Sequence, residues 1–309
     1  MSHNAEPDDR LKALTDKLEA GVEEVFESER YRTYLKAMAK FHSYSFGNVM
    51  LILMQRPDAS LVAGFNKWKK DFGRSVKKGE RGIQIIAPVN RRKLVKQDRL
   101  DPASGKPVLG PDGKPEKEPV FVQYQSFRVT HVFDVSQTEG RELPTLGVDE
   151  LSAEVTDFDR MFSVVEGLSP VPVEYRPAEA SKGCYNRLEQ KIYINEGMSQ
   201  SQTIKTLIHE TAHALLHSAP DAEIKDRRTK EVEAESIAYV VCQHFGIDTS
   251  DYSFTYVTSW SSGKELKELK SSLDCISKTA AGMIDRIEKA CPEMSRGSEA
   301  KRKEECVSR

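Results

Sequence analysis

Cysteine is scarce in this 309-residue chain. The five present, Cys184, Cys242, Cys275, Cys291 and Cys306, are odd in number, scattered and without C-x-x-C spacing. That argues against a disulfide scaffold and against a cysteine zinc site, and it leads us to expect reduced thiols in a cytoplasm. No apolar run is long enough to span a bilayer and no signal peptide precedes the first helix, so no membrane partner is expected. A phosphate-binding glycine loop and internal repeats are also missing. Charge of one sign is lacking overall, with a formal net charge of −2, but it is segregated along the chain. Residues 30–96 carry only three acids, Asp58, Asp71 and Glu80, among a dense set of lysines and arginines, so the second half must be acidic.

What is present is led by His209-Glu210-Thr211-Ala212-His213, an H-E-x-x-H pentad. Two histidines four residues apart stand one above the other on a helix and can share a metal ion, and the glutamate between them can act on a bound water. The context is helical. Ser199 or Ser201 is a candidate N-cap, Ile204, Leu207, Ile208, Leu215 and Leu216 form an apolar stripe, and Pro220 follows the end. A zinc site needs a third protein ligand. The metzincin pattern fails, because Leu216 and Ala219 stand where it requires glycine and histidine. The next acidic helix, around residues 230–239, offers Glu231 and Glu235 on one face beside Ala234 and Ala238, with Glu233 pointing elsewhere. Glu231 is taken as the third ligand, with Glu235 orienting a ligating histidine; Glu235 is the alternative ligand. Upstream, residues 183–186 and 190–195 read as two short strands, one of which could pair with an extended peptide.

These residues resemble the zincin-like metallopeptidases of the ImmA/IrrE group. The resemblance covers residues 151–246 and rests on the strand ending Ile192-Tyr193-Ile194, the pentad followed by Ala-Leu-Leu-His217, and the Glu231-x-x-Ala234 helix. That group often has asparagine where this chain has Glu235. His217, one turn beyond His213, is read as structural.

The basic amino-terminal stretch interleaves its charges with Phe41, Tyr44, Phe46, Phe65, Trp68 and Phe72. Cations neutralise phosphates and ring faces stack on bases, a combination suited to a nucleic-acid strand. The candidate contacts are Lys40, Tyr44, Asn48, Trp68, Lys69, Arg74, Lys77, Lys78 and Arg81, the last three gathered by a tight turn at Gly79. Phe65 and Phe72 are read as core, and Trp68 as either core or platform.

The blocks Phe41-His42-Ser43-Tyr44-Ser45-Phe46-Gly47-Asn48, Ala63-Gly64-Phe65-Asn66-Lys67-Trp68, Val76-Lys77-Lys78-Gly79-Glu80-Arg81-Gly82-Ile83 and Phe133-Asp134-Val135-Ser136-Gln137 resemble the N-terminal domain of ArdC-type antirestriction proteins, over residues 10–145. The resemblance implies single-stranded DNA binding, a following zincin-like domain, and protection of incoming DNA typical of mobile elements.

The expectation is an α+β protein of two domains. Residues 8–143 form the single-stranded DNA-binding domain, with 90–120 as an exposed, mobile insertion between two strands that either reaches toward DNA through Arg91, Arg92 and Lys93 or, the favoured reading, is a solvated loop. Residues 149–291 form the zincin-like domain with a final amphipathic helix, and 292–309 a disordered tail. Zn2+ held by His209, His213 and Glu231, with Glu210 as general base, would serve hydrolysis of an unknown protein or peptide. Two alternatives differ in class: a DNA-binding protection protein whose zincin domain is catalytically silent, and a regulatory protease that cleaves a repressor. For the oxyanion, Tyr239 and Tyr252 are the candidates.

Overall fold

A computed structural model describes residues 7–102, 104–111, 113–143, 158–177, 181–218 and 225–292. The inter-domain linker, expected around Arg141 to Val148, lies outside the described residues apart from 141–143, as does the tail beyond Pro292. Helices and strands are mixed throughout, an α+β chain. Among the described residues no helix is long and apolar enough to cross a membrane.

By contact, the chain divides into two compact units. The larger holds residues Asp16–Ile83 and 131–292. Its amino-terminal elements are the end of α1 (Pro7–Glu24), α2 (Ser28–Lys40), α3 (Phe46–Gln55), β1 (Val62–Gly64), α4 (Phe65–Lys70) and β2 (Arg74–Val76). Two long strands follow, β3 (Ile83–Asp98) and β4 (Lys117–Asp134), then β5 (Thr138–Gly140). β1 pairs antiparallel with β4, Ala63 opposite Phe133, and β2 with β5, Ser75 opposite Glu139. Buried Asp134 ties this corner together. Its carboxylate accepts from the backbone N–H groups of Ser60 (2.8 Å), Leu61 (3.2 Å) and Ser136 (3.0 Å). Burial works against that charge, but the hydrogen bonds outweigh it and hold the carboxyl below its usual range.

The carboxy-terminal elements are α5 (Phe158–Glu166), β6 (Val173–Arg176), β7 (Gly183–Asn186), β8 (Lys191–Asn195), α6 (Gln200–His217), α7 (Arg227–His244), α8 (Val257–Ser261) and α9 (Leu266–Ala290). The sheet order is β6-β8-β7, with β6 parallel and β7 antiparallel to the central strand. Alternation along β8 buries Ile192 and Ile194 on one side. Ser199, rather than Ser201, caps α6, its hydroxyl accepting from Gln202 N–H. Asp226 caps α7 in the same way, accepting from Thr229 N–H (2.9 Å) and Thr229 Oγ1 (2.7 Å). Fully buried Ala212, Ala234 and Ala238 are small enough for the packed helices α6 and α7 to come close. The final helix α9 packs along α7 through buried Leu273, Ile276 and Ile284.

The same core extends into the amino-terminal stretch. α2 lies against α7, with Tyr31 Oη and Ser236 Oγ 2.7 Å apart and both residues fully buried. Phe26 packs on Tyr31 (5.5 Å between rings) and on Trp260 (5.3 Å). His244 near the end of α7 has Nδ1 2.9 Å from the carbonyl oxygen of Ala39 and Nε2 3.0 Å from Glu288 Oε1.

The smaller unit comprises residues 7–15 and Gln84–Thr130. Its main feature is the two-stranded ribbon formed where β3 and β4 run beside each other. The two flanks of residues 90–120, expected to be loop, are therefore regular: β3 runs to Asp98, and β4 starts at Lys117. Near the tip, Arg99 N–H donates to Glu116 O (2.8 Å), and Leu100 and Leu109 bridge to Pro107 and Pro115. β4 is rich in β-branched and aromatic residues, which suits a strand, whereas the turn formers cluster at the tip.

Candidate metal centre and nucleic-acid surface

The pentad occupies the middle of α6, and its two histidines project toward α7. His209 Nε2 and His213 Nε2 are 3.1 Å apart, and Glu231 Oε2 lies 3.6 Å from each. The circle through these three atoms has a radius of about 2.0 Å, the length of a zinc–nitrogen or zinc–oxygen bond. Ligand pairs around a tetrahedral ion with such bonds stand about 3.3 Å apart, a value the observed separations bracket. The donor set of two imidazoles and a carboxylate thus fits a small divalent cation.

Electrostatics favour the same occupant. Glu231 is held ionised, far below the usual carboxylate range, by hydrogen bonding to His209 and His213. For His209, burial opposes charge, but the carboxylates of Glu231, Glu235 and Glu210 prevail and lift it to about 10. A cation taking the place of that proton would satisfy the same field.

Around this triangle stand the supporting groups. Glu235 Oε2 is 3.1 Å from His209 Nδ1, so Glu231 and Glu235 address opposite nitrogens of one ring. Glu210 is buried, and burial raises its carboxyl above the usual range despite the neighbouring histidines. Its Oε2 accepts from the backbone N–H of Tyr185 on β7 (2.7 Å). That contact requires β7 to lie close to α6, and Gly183 permits it. A Cβ there would meet Thr206 Cγ2 at 2.6 Å and Tyr193 O at 2.9 Å. A cleft of about 290 Å³ opens beside these groups, lined in part by Lys205, His209, Glu210, Glu235 and Tyr252. Lys205 is buried and ion-paired with Asp251. Of the two tyrosines considered for the oxyanion, Tyr252 lines this cleft, whereas Tyr239 is buried among Tyr252 and Phe254.

One chain of groups escaped the sequence reading. His213 Nδ1 is 3.0 Å from His217 Nδ1, and His217 Nε2 is 3.1 Å from Glu233 Oε2. Glu233 is fully buried and also accepts from Lys225 Nζ (2.7 and 2.9 Å). It does face away from the metal triangle, as its helical position requires, yet it anchors the far side of a candidate ligand. The H-x-x-x-H continuation from His213 to His217 was the available signal. A second grouping, His42, Asp285 and Glu288, also brings potential ligand atoms within 4.8 Å of one another.

Comparison with known proteins bears on both halves. Residues 8–133 match the family model described as the N-terminal domain of anti-restriction factor ArdC, and residues 170–248 match the IrrE N-terminal-like domain, a peptidase family model. The chain carries an ArdC-type domain followed by an IrrE-like peptidase domain. An uncharacterised protein of Bacillus anthracis is 27% identical over 332 aligned positions, covering 96% of this chain and 54% of the relative. The chain thus spans about half the length of that curated relative. Two crystal structures of the antirestriction protein ArdC from plasmid R388 are also similar. The metal-free one is 19% identical with a TM-score of 0.44, covering 80% of this chain and 85% of that one. The Mn(II)-bound one is 18% identical with a TM-score of 0.43, covering 83% and 97%.

The predicted DNA contacts of the ArdC-type domain are dispersed. Lys40, Lys69, Lys77, Lys78 and Arg81 are exposed. Lys77 Nζ donates to Ser136 O (3.0 Å), and Gly79, at φ +90°, makes the turn that holds Lys77, Lys78 and Arg81 near one another. Tyr44 is half-buried, its hydroxyl donating to Val62 O (3.1 Å), and Asn48 is half-buried in the first turn of α3. Two assignments need correction. Trp68 is fully buried, with Nε1 donating to Phe133 O (2.9 Å), so neither ring face is available to a base. Arg74 is a structural clamp, its guanidinium donating to Thr138 Oγ1 (2.7 Å), Thr138 O (2.9 Å) and Arg141 O. Conversely, Phe65, expected in the core, is 57% exposed, while Phe72 is half-buried against Trp68.

Proposed function

We propose that this protein binds single-stranded DNA as an antirestriction-type factor and that its second domain is a zinc-dependent metallopeptidase. Under this reading the two functional modules are residues 8–143 and 149–291. The observation that carries it is the triangle of His209 Nε2, His213 Nε2 and Glu231 Oε2, with the buried carboxylate of Glu210 beside it. His209, His213 and Glu231 would hold the zinc, and Glu235 would fix the His209 ring. Zinc bound there would supply an acidified water and withdraw charge from a substrate carbonyl.

The remaining chemistry belongs to the chain. Glu210, its carboxyl raised by burial, has a basicity moved toward neutrality and accepts a proton from the attacking water. The Tyr185 N–H on Oε2 fixes the orientation of that carboxylate, leaving Oε1 to exchange the proton and return it to the leaving amine. β7 lies at the end of its sheet order, and the part of its outer edge not engaged by Glu210 can pair with an extended peptide beside the cleft. Exposed Lys77, Lys78 and Arg81 would neutralise phosphates.

The testing experiment is Glu210→Gln, followed by metal content, single-strand binding, DNA protection and cleavage of a general peptide substrate. Metal and DNA binding should persist while cleavage falls by at least about a hundredfold. Protection that survives the substitution would assign it to DNA binding alone, and cleavage that survives would remove Glu210 as the base.

A further inference from the structure

The ribbon of β3 and β4 has a middle section unlike its tip. At the tip, charges are matched: Arg99 pairs with Glu116 (3.2 Å) and Lys117 with Asp98 (2.7 Å). Between residues 88–97 and 119–130 there is no acid at all. Exposed Arg91, Arg92, Lys93 and Lys96 follow one another on β3, and exposed Arg128 lies on β4. Among these cations stand large rings turned to solvent: Phe121 is 69% exposed, Phe127 49% and Tyr124 43%.

An isolated ribbon gains nothing from exposing so much apolar area, and rings interleaved with cations along its two faces are the combination that holds a nucleic-acid strand. Strand alternation places Phe121 and Phe127 on one face, about 20 Å apart along the strand, and Tyr124 on the other. The charge selects the occupant. Uniform positive charge calls for a polyanion, and the rings call for flat apolar partners presented with it. A single nucleic-acid strand offers both, phosphates and unstacked bases, at neighbouring positions. A duplex would use the cations but leave the ring faces idle, because its bases are already stacked.

We infer that the middle of this ribbon is a single-strand contact surface, where Phe121, Tyr124 and Phe127 stack bases and Arg91, Arg92 and Lys93 take the adjoining phosphates. The inference rests on the proposed single-strand binding; it takes up the alternative in which Arg91, Arg92 and Lys93 reach toward DNA and adds to them the exposed rings of β4. The stretch that composition marks as solvated filler is thereby a working surface.

The test uses the full chain, a labelled oligothymidylate probe and fluorescence anisotropy over a salt series. Phe121→Ala/Tyr124→Ala/Phe127→Ala should weaken binding by about tenfold or more at fixed salt, leaving the salt slope unchanged. Arg91→Ser/Arg92→Ser/Lys93→Ser should flatten the slope of log K against log salt by about 2, at about 0.7 per lost phosphate contact. All these side chains are exposed, so thermal unfolding and metal content should match the parent protein. Parent-like affinity and slope in both variants would overturn the inference while leaving single-strand binding intact. Equal competition by duplex would overturn the stacking role. A parent protein that fails to bind the probe would remove the functional proposal itself, and the inference with it.

Discussion

Replacing His217 with phenylalanine tests how the candidate metal centre is held. When His213 gives its Nε2 lone pair to a metal, its proton must reside on Nδ1. That N–H then donates to His217 Nδ1 at 3.0 Å, which leaves the His217 proton on Nε2, facing Glu233 Oε2 at 3.1 Å. The electrostatics agree with this order of protons. Burial keeps His217 below its usual range and therefore neutral. Glu233 remains ionised because His217 and Lys225 outweigh its burial. Phenylalanine preserves the ring volume but removes the acceptor, so the N–H of His213 is orphaned in the metal-bound state. An unsatisfied buried donor costs about 1–3 kcal/mol, and loss of such a supporting partner typically weakens metal affinity about 10- to 100-fold. Chelator competition with zinc reads this directly, with far-ultraviolet circular dichroism to establish that the variant is folded. Glu233→Gln is the companion variant, since its amide oxygen still accepts from His217; its loss of affinity should be under about tenfold. A folded His217→Phe protein binding zinc within twofold of the parent would refute the proton chain and leave His217 a space-filler.

Two further predictions follow from local geometry. Gly183→Ala should lower stability by about 1–3 kcal/mol through overpacking and, by pushing β7 away from α6, reduce any peptide hydrolysis more than it reduces zinc affinity; equal losses in both would show that β7 does not orient Glu210. Asp226→Ala should cost about 1 kcal/mol at neutral pH by removing the α7 cap. Burial opposes the Asp226 charge, but Thr229 and Lys264 overcome it and hold the carboxyl at about 2, against 3.8 ordinarily. The folded value is depressed, so the advantage of aspartate is present above about pH 4 and lost as the pH falls through 2. Denaturant melts at pH 7, 4 and 2 that give a constant difference between the two proteins would contradict this linkage.

The helices of the candidate centre were legible because their periodicity and caps are local. Ile204, Leu207 and Ile208 of the α6 stripe are buried and Glu231 and Glu235 share a face, as a 3.6-residue repeat requires, whereas Leu215 at the end of the stripe is exposed and the choice of Ser199 over Ser201 as cap came from the structure. Glu233 was not legible, since a buried carboxylate is recognised only by partners distant in sequence, here His217 and Lys225. Trp68 and Arg74 misled for a related reason. Aromatic and cationic residues in a basic stretch look alike whether they face solvent or carbonyl oxygens of β4 and β5, and only the tertiary pairing separates these cases. The ribbon was missed at its flanks because Pro- and Gly-rich residues at its tip dominated the composition of the window.

The contact between α2 and α7 determines how the molecule can be taken apart. A cut at the linker around residue 145 looks natural on a domain map, yet it would strip Tyr31 from Ser236 and Phe26 from Trp260. A fragment beginning near residue 149 would present a raw apolar wall where α2 had been, on the helix that carries Glu231 and Glu235. Its insolubility or loss of metal would then report the missing wall, and would say nothing about whether DNA binding and hydrolysis depend on each other. Dissecting those roles calls for substitutions in an intact chain.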